Sequence, residues 1–211
     1  MFPPITRDDV FRIETPRLWL RWPQAGDGPA IRAFASCADV ALMTASIPHP
    51  YPAGEEARSI DTVRARNLRG ETLELLIERK ASQREVIGTV LVRSEADRAP
   101  MLGYALHPRF WGQGYASEAA KAMIESVFLL TEAERIAATV QIENTASRHV
   151  LDKLGFRMAG ERSRLSPLRS EVQSLADYEL TRAAYQAQSG MVLHPLHWPL
   201  PYNSLEWAGA A

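Results

Sequence analysis

The sequence predicts a mixed α/β domain, in which a run of antiparallel strands is followed by a β-α-β-α-β segment. Three observations support this fold class. Stretches rich in β-branched and alternating apolar residues, such as VIGTVLVR (86–93), are typical of strands. Apolar residues recur at helical spacing in two segments, 116–130 and 144–156. Glycines and prolines lie between these segments, where loops are expected.

Each predicted element has a local justification. RLWLRW (17–22) alternates as a strand does, and Asp27 caps a helix that continues through Phe34. The stretch 45–56 contains three prolines and a glycine, which predicts a loop, and a second helix follows it and ends at Gly70. The remaining predicted strands are LELLIERK (73–80), VIGTVLVR (86–93), MLGYALHP (101–108), RIAATVQI (135–142), RMAGE (157–161) and DYELTR (177–182).

Composition and charge limit the function classes. Of the 211 residues, 46% are hydrophobic and 23% are charged, as in an ordinary globular protein. The net charge of −1 lacks the positive field that a nucleic-acid partner requires. The single cysteine, Cys37, excludes an internal disulfide and fits a reducing compartment. No segment has the pattern of a signal peptide or a membrane span, so a cytoplasmic location without a membrane partner is expected.

The pattern changes near residue 189. Three prolines (195, 199 and 201) exclude a helix in this stretch, and its leucines and aromatic residues do not suit a solvated tail. We therefore expect one domain over residues 1–188 and a tail, 189–211, that packs on the body or on a partner subunit. His194 and His197 have no cluster of cysteines or carboxylates nearby, and no metal site is predicted.

The stretch WGQGYASEA (111–119) places two glycines one residue apart, immediately before a predicted helix. The start of a helix exposes unpaired N–H groups and the positive end of the helix dipole, which suit an anion. Without side chains at Gly112 and Gly114, the N–H groups from Gln113 to Ser117 can turn toward one bound diphosphate. The P-loop sequence is absent, and the dinucleotide fingerprint lacks its third glycine. Taken alone, the glycine pair is equally consistent with a tight loop that binds no ligand.

Two further features accompany the glycine turn. The strand before it ends in YALHP (104–108), and a second β-α unit follows with Asn144 at its strand-to-helix junction. In this order they resemble the acetyl-CoA-binding core of the GNAT N-acetyltransferase superfamily. ENTASRHVLDKLGF (143–156), IETPRLWLR (13–21) and the PHPYP loop (48–52) are similar to its ribosomal-protein N-acetyltransferase (RimJ/RimL-like) branch. The resemblance covers residues 13 to about 182 and implies a mostly antiparallel sheet that is splayed around the cofactor, with helices on both faces.

The resemblance also implies acetyl-CoA as the cosubstrate. The pantetheine arm would lie along the backbone of Tyr104, Ala105 and Leu106, and a backbone N–H there, assigned to Leu106, would polarise the thioester carbonyl. Asn144 would bond the arm from the other strand, although Asn at this place is also a common helix cap. The residues assigned to the diphosphate are Gly112, Gln113, Gly114, Tyr115, Ala116 and Ser117.

Catalysis requires one proton to leave an ammonium group and one to reach the CoA thiolate. Many superfamily members place the acid, a tyrosine, seven residues after the Asn, but Leu151 stands here. Some place a glutamate base five residues before the Asn, and Thr139 stands there. In the RimJ/RimL-like branch a serine three residues after the Asn lies near the sulfur, so Ser147 is the candidate acid and a cofactor contact, against ordinary helix capping. The base stays open among a chain of waters, Glu143, Glu161 and His149.

The resemblance says less about the acceptor pocket than about the cofactor site. His49 and Tyr51 lie where members of the family shape it, although apolar packing alone would also explain that loop. Near the loop only Glu55 and Glu56 are acidic, which weakens a polycationic acceptor. The predicted activity is acetyl transfer to a primary amine, on a protein N-terminus or a small molecule, by direct attack on the thioester. A non-catalytic acyl-CoA-binding module is the alternative, and the tail and the habit of the family suggest a homodimer.

Overall fold

We describe the fold from a computed structural model of the chain. The described residues are 1–81, 85–94, 98–166, 168–169 and 171–190. The predicted tail, 189–211, lies almost entirely outside them, so its packing stays a prediction.

The described residues form eight strands and six α-helices. The strands are β1 (Arg12–Glu14), β2 (Leu18–Arg21), β3 (Thr72–Arg79), β4 (Val86–Arg93), β5 (Met101–Leu106), β6 (Arg135–Gln141), β7 (Arg157–Leu165) and β8 (Val172–Thr181). The helices are α1 (Gly28–Ala35), α2 (Ala38–Ala41), α3 (Glu55–Leu68), α4 (Tyr115–Leu130), α5 (Thr145–Lys153) and α6 (Arg182–Ser189).

All eight strands belong to one sheet, in the order β1-β2-β3-β4-β5-β6-β8-β7. Every neighbouring pair is antiparallel except β5 and β6, which are parallel. The parallel pair is joined only at Met101↔Ala137 and Leu102↔Ala138, after which the two strands separate. The predicted mixed, mostly antiparallel sheet that splays in its middle is therefore confirmed.

Helices cover both faces of the sheet because successive strand residues point to opposite sides. Leu73, Leu75 and Ile77 of β3 pack in the larger core, which includes the apolar face of α4. Leu76, between them, packs instead with Ile31 and Phe34 of α1 and with other residues of a smaller cluster. The odd-numbered residues of β3 thus face α4, and the even-numbered residues face α1 and α3.

Several predicted boundaries differ from the observed ones. The strand expected over 101–108 ends at Leu106, because Pro108 begins a short 3-10 helix. Arg182, predicted to end a strand, instead opens α6, and its guanidinium donates to the carbonyl oxygens of Phe128 (2.6 Å) and Thr131 (2.8 Å). The elements β1, α2 and α6 are short or polar and were not predicted from the sequence.

Candidate active site

One cleft of about 1990 Å³ opens where β5 and β6 separate. It is larger than the roughly 300–1,000 Å³ that suits a single drug-sized ligand, so it has room for an extended cosubstrate and an acceptor. Of the residues predicted to bind cofactor or acceptor, all except Gln113 and His49 line it: Tyr51, Tyr104, Ala105, Leu106, Gly112, Gly114, Tyr115, Ala116, Ser117, Asn144 and Ser147.

The glycine turn opens into this cleft at the start of α4. Gly112 (φ 73°) and Gly114 (φ 79°) both have left-handed backbone conformations, which residues with a Cβ rarely adopt. Gly114 is the N-cap residue, and no side chain caps the helix there. A Cβ at Gly112 would meet nothing within 4 Å, so the space above the turn is open. The unpaired N–H groups of the first turn of α4 can therefore reach an anion in the cleft.

Arg17 supports the turn from the side opposite the cleft. Its Nη1 donates to the carbonyl oxygen of Gln113 (3.0 Å), and its Nε donates to the Glu118 carboxylate (2.6 Å). Because a trans peptide is planar, the Gly114 N–H points away from the Gln113 carbonyl and hence away from Arg17. The guanidinium also lies 4.4 Å from the centre of the Tyr115 ring. The turn is thus held in place before any ligand binds.

Glu118 completes this support. Its Oε1 accepts hydrogen bonds from the Thr15 hydroxyl (2.6 Å) and the Arg17 backbone N–H (2.9 Å). Burial raises the pKa of Glu118, but these bonds and the Arg17 side chain outweigh it and hold the pKa below its usual value. Arg17 and Glu118 were not singled out from the sequence. The available signal was the TPRL stretch within IETPRLWLR.

The separation of β5 from β6 leaves backbone groups of β5 without a strand partner. The His107 N–H donates to the Ile87 carbonyl oxygen (2.9 Å), and the carbonyl oxygen of Ala105 faces β4 at Gly88. Since alternate residues of a strand direct their backbone groups to opposite sides, those of Tyr104 and Leu106 face the gap. Trp111 Nε1 donates to the Leu106 carbonyl oxygen (2.8 Å), which leaves the Leu106 N–H toward the cleft.

Two hydroxyl groups meet across the gap. Tyr104 Oη lies 2.9 Å from Ser147 Oγ and 3.1 Å from the Ser147 carbonyl oxygen. Burial raises the pKa of Tyr104 to about 12, with a partial offset from its bond to Ser147. Tyr104 is therefore neutral at physiological pH and has a proton to donate. Its side chain was predicted only as part of the strand, and its pairing with Ser147 is a finding of the structure.

Asn144 occupies the N-cap position of α5, where its Oδ1 accepts from the Ser147 N–H (3.0 Å). The capping interpretation is therefore correct for Oδ1, and the Nδ2 group can still donate to a ligand. Leu151, which replaces the tyrosine of many superfamily members, is 2% exposed and packs in the core. Thr139, which replaces the glutamate, donates to Asp177 Oδ1 (2.6 Å) on the neighbouring strand.

The carboxylates and the histidine considered as the base from sequence are not enclosed. Glu143, His149 and Glu161 are all exposed; Glu143 and His149 line the cleft, whereas Glu161 does not. The structure reveals another carboxylate, Glu74 of β3, on the floor of the cleft. Burial raises the pKa of Glu74 to about 7, with partial offsets from the Thr89 hydroxyl and from nearby arginines.

The acceptor side of the cleft is bounded by the loop between α2 and α3. Tyr51 lines the cleft and packs on the smaller apolar cluster, whereas His49 is exposed. Burial, together with the nearby carboxylates, raises the pKa of Tyr51. Glu55 pairs with Arg58 (2.9 Å), and Glu56 pairs with Arg32 (2.5 Å).

A comparison with protein families decides the classification. The family model described as Acetyltransferase (GNAT) domain matches residues 17–157, which is more than half of the chain. The chain belongs to the GNAT acetyltransferase family. The matched range contains the glycine turn, β5, β6 and α5, so most of the cleft is formed by the part of the chain that carries the family likeness, and β7 and β8 complete it.

Curated relatives match part of the chain. The uncharacterized N-acetyltransferase p20 of Bacillus licheniformis is 40% identical over 79 residues, which are 36% of this chain and 44% of that protein. The chain therefore spans less than half the length of this relative.

Solved structures match more of the chain. A putative ribosomal-protein-serine acetyltransferase from Vibrio cholerae has a TM-score of 0.71 at 19% identity, over 82% of this chain and 98% of that one. Spermidine N-acetyltransferase from Vibrio cholerae, in complex with CoA and spermine, has a TM-score of 0.68 at 17% identity, over 81% and 99%. These likenesses show the fold.

Two features are absent from the described residues. None of the helices in these parts of the chain has the length and apolar character needed to cross a membrane. Within the same ranges, no group of three or more His, Cys, Asp or Glu side chains is placed to hold a metal ion.

Proposed function

We propose that the protein is an acetyl-CoA-dependent N-acetyltransferase that moves an acetyl group to a primary amine by direct attack. The observation that carries this proposal is the glycine turn, which presents the free N–H groups of α4 to the same cleft that contains the Tyr104–Ser147 pair. The residues present fit the cosubstrate, because the turn is an anion site without side chains and the β5 edge can pair with an amide-containing arm.

The roles of the chain's residues follow from this fit. The N–H groups from Gln113 to Ser117 bind the diphosphate, and the pantetheine arm lies along the edge of β5, where Tyr104 offers both backbone groups and Leu106 only its N–H. The Leu106 N–H polarises the thioester carbonyl and stabilises the negative charge that develops on its oxygen. Asn144 Nδ2 bonds the arm from the other side of the gap.

Ser147 is the proposed proton donor to the departing thiolate. Its hydroxyl is bonded to the neutral Tyr104 hydroxyl, so a proton given up by Ser147 can be replaced from Tyr104. The Ser147–Tyr104 pair can thus supply the proton that a tyrosine supplies in many superfamily members and that Leu151 cannot. Cys37 is not needed as a nucleophile, and its Sγ donates to the Ala33 carbonyl oxygen (3.3 Å) on α1.

The acceptor is proposed to be a protein N-terminus or a small-molecule amine. The stretches IETPRLWLR and PHPYP favour the RimJ/RimL-like branch, whose members act on protein N-termini. Glu55 and Glu56, beside the acceptor loop, are paired with arginines, which weakens a polycationic acceptor. Tyr51 in the cleft wall, and His49 beside it, are the proposed acceptor contacts.

The remaining parts of the proposal concern the whole protein. We expect one catalytic domain over residues 1–188, a tail that packs on the body or on a second subunit, and a homodimer in the cytoplasm. The net charge of −1 supports the absence of a nucleic-acid partner.

The experiment is to follow release of the CoA thiol from acetyl-CoA with a panel of amines, including N-terminal peptides, amino acids, aminoglycosides and polyamines. Acceptor-dependent thiol release and an acetylated product of the expected mass support the proposal. Tight binding of CoA without acceptor-dependent release across the panel supports the alternative, a non-catalytic acyl-CoA-binding module.

A further inference from the structure

Glu74 lines the cleft on the same face of β3 as Leu76, whose apolar cluster also contacts Tyr51, the proposed acceptor contact. Glu74 pairs in register with Leu91 of β4, which pairs with Gly103 of β5, the residue before Tyr104. With neighbouring strands about 4.8 Å apart, the backbones of Glu74 and Gly103 are roughly 10 Å apart. The thioester, assigned to the Leu106 N–H, lies three residues or roughly 10 Å further along β5, so the proton passes from the ammonium to Glu74 through water in the cleft.

The backbone of Glu74 is fixed by a buried side chain. Asn67 of α3 is 1% exposed. Its Nδ2 donates to the Glu74 carbonyl oxygen (2.8 Å), and its Oδ1 accepts from the Glu74 N–H (3.0 Å) and the Thr72 hydroxyl (2.9 Å). The carboxylate therefore projects from a rigid point of the sheet, as a group that must meet a substrate should.

The surroundings of the carboxylate leave its proton affinity high. The Thr89 hydroxyl donates to Oε1 of this carboxylate over 3.4 Å. The charged groups that face it are Arg66 of α3 and Arg93 of β4, which lower its pKa less than burial raises it. The part of α1 that lines the cleft contributes apolar side chains, including Ile31 and Phe34.

Two other carboxylates show that this environment is specific to Glu74. Glu78 lies four residues further along β3 on the same face, but it accepts from Arg21 Nε (2.5 Å) in a buried ion pair. Asp177 lines the same cleft, where burial raises its pKa, but bonds from Arg162 (2.6 Å) and Thr139 outweigh burial and lower it. Glu78 and Asp177 are thus each held in an ion pair, whereas Glu74 is available to exchange a proton.

We propose that Glu74 is the general base that takes the proton from the acceptor ammonium, an inference that rests on the proposed function. The carboxylate accepts one proton from R–NH₃⁺, which gives R–NH₂ and a neutral Glu74. The amine then forms the C–N bond, its second proton is lost as the C–S bond breaks, and the thiolate gains a proton from the Ser147–Tyr104 pair. The Ser147–Tyr104 pair regains the proton that the nitrogen loses, and Glu74 releases its proton to solvent. The balance is R–NH₃⁺ and acetyl-CoA to R–NH–acetyl, CoA–SH and one H⁺.

The test compares Glu74→Gln with the wild-type protein, using an amine that the wild type acetylates. We expect turnover at about pH 7 to fall at least 100-fold, in the range of general-base catalysis, with CoA affinity within about twofold of wild type. The wild-type rate should rise with pH through an ionisation near 7, and this limb should be missing in the variant. Trifluoroethylamine, a weakly basic amine that is already neutral at this pH, should lose much less rate.

Asp177→Asn is the matched control, because it removes a second carboxylate of the cleft whose pKa is low. It should leave the ionisation near 7 in place. The proposal is overturned if Glu74→Gln keeps the wild-type rate and pH limb, if both amines lose rate equally, or if Asp177→Asn removes the same limb. A wild-type protein that acetylates no amine overturns the proposed function itself, and with it the role of Glu74. If the wild type acetylates an amine and Glu74→Gln does so equally well, only the role of Glu74 is overturned.

Discussion

Replacement of Glu74 by glutamine should stabilise the folded protein at neutral and alkaline pH. Burial raises the pKa of this carboxyl from an ordinary value of 4.5 to about 7, so the folded state binds the proton more tightly than the unfolded state. Ionisation above pH 7 therefore costs the folded state free energy that a neutral glutamine of similar shape does not cost.

The size of the effect follows from the two pKa values. A difference between 4.5 and about 7, at about 1.4 kcal/mol for each tenfold change in proton affinity, corresponds to about 3 kcal/mol. The penalty grows as the pH rises from about 4.5 to about 7 and is constant above that range. At about pH 5 the advantage of the variant should shrink to below about 1 kcal/mol.

The assay is urea unfolding of the wild type and Glu74→Gln at about pH 5, 6.5 and 8, with the free energy extrapolated to water. Glu78→Gln provides a control of opposite sign on the same strand. It weakens the ion pair with Arg21, which keeps Asp27 as a second partner, and should destabilise the protein by about 1–3 kcal/mol at pH 8. A Glu74→Gln protein that is no more stable than wild type at pH 8 would show that the carboxyl is well solvated, and the reasoning about its proton affinity would fail.

Three further predictions concern the cofactor side of the cleft. Ser117→Asp should weaken CoA binding at least about tenfold in a calorimetric titration, since the added carboxylate repels the diphosphate. Its melting temperature should be unchanged or higher, because an acidic first turn favours a helix. Equal CoA affinity would contradict the anion site. Ser147→Ala should slow turnover at saturating acetyl-CoA about tenfold or more with less effect on CoA affinity, and an unchanged rate would leave Ser147 as a helix cap only. Arg17→Ala should weaken CoA binding about tenfold by releasing the turn, whereas the exposed Arg58→Ala should not. Equal effects of the two arginine variants would refute the support role.

The regular elements were predictable where one local pattern dominates. VIGTVLVR was expected over 86–93 and forms a strand over those residues, because its β-branched side chains suit a buried, pleated surface. The helix expected over 116–130 is observed as Tyr115–Leu130, since its apolar stripe is long and regular. Asn144 and Gly155 marked the two ends of α5, as an N-cap and a residue with a left-handed conformation (φ 87°).

The arrangement of the elements was less accessible to sequence patterns alone. The insertion of β8 between β6 and β7 depends on pairing between distant segments, and no local period encodes it. The helix α6 has only eight residues and follows directly from β8 in a polar stretch, so it was not separated from the strand. Residue patterns predicted the antiparallel run and the β-α-β-α-β order, and the resemblance to a known fold supplied the splayed sheet.

The site residues also divide into those with a local sequence signal and those that only the fold brings to the cleft. The glycine turn was found because its chemistry is local, within six consecutive residues. Arg17 was missed because it reaches the turn from 96 residues away in sequence. Glu74 was missed because a polar residue in an alternating strand is normally solvated, and only the fold places it on the floor of a cleft.

The most direct test of the central claim is a pair of calorimetric titrations of the wild-type protein with CoA and with pantetheine, which lacks the diphosphate and nucleotide. If the N–H groups at the start of α4 bind the diphosphate, CoA should bind at least about 100-fold more tightly than pantetheine, and Ser117→Asp should remove much of that difference. Equal affinities for the two ligands, or no binding of CoA, would contradict the account.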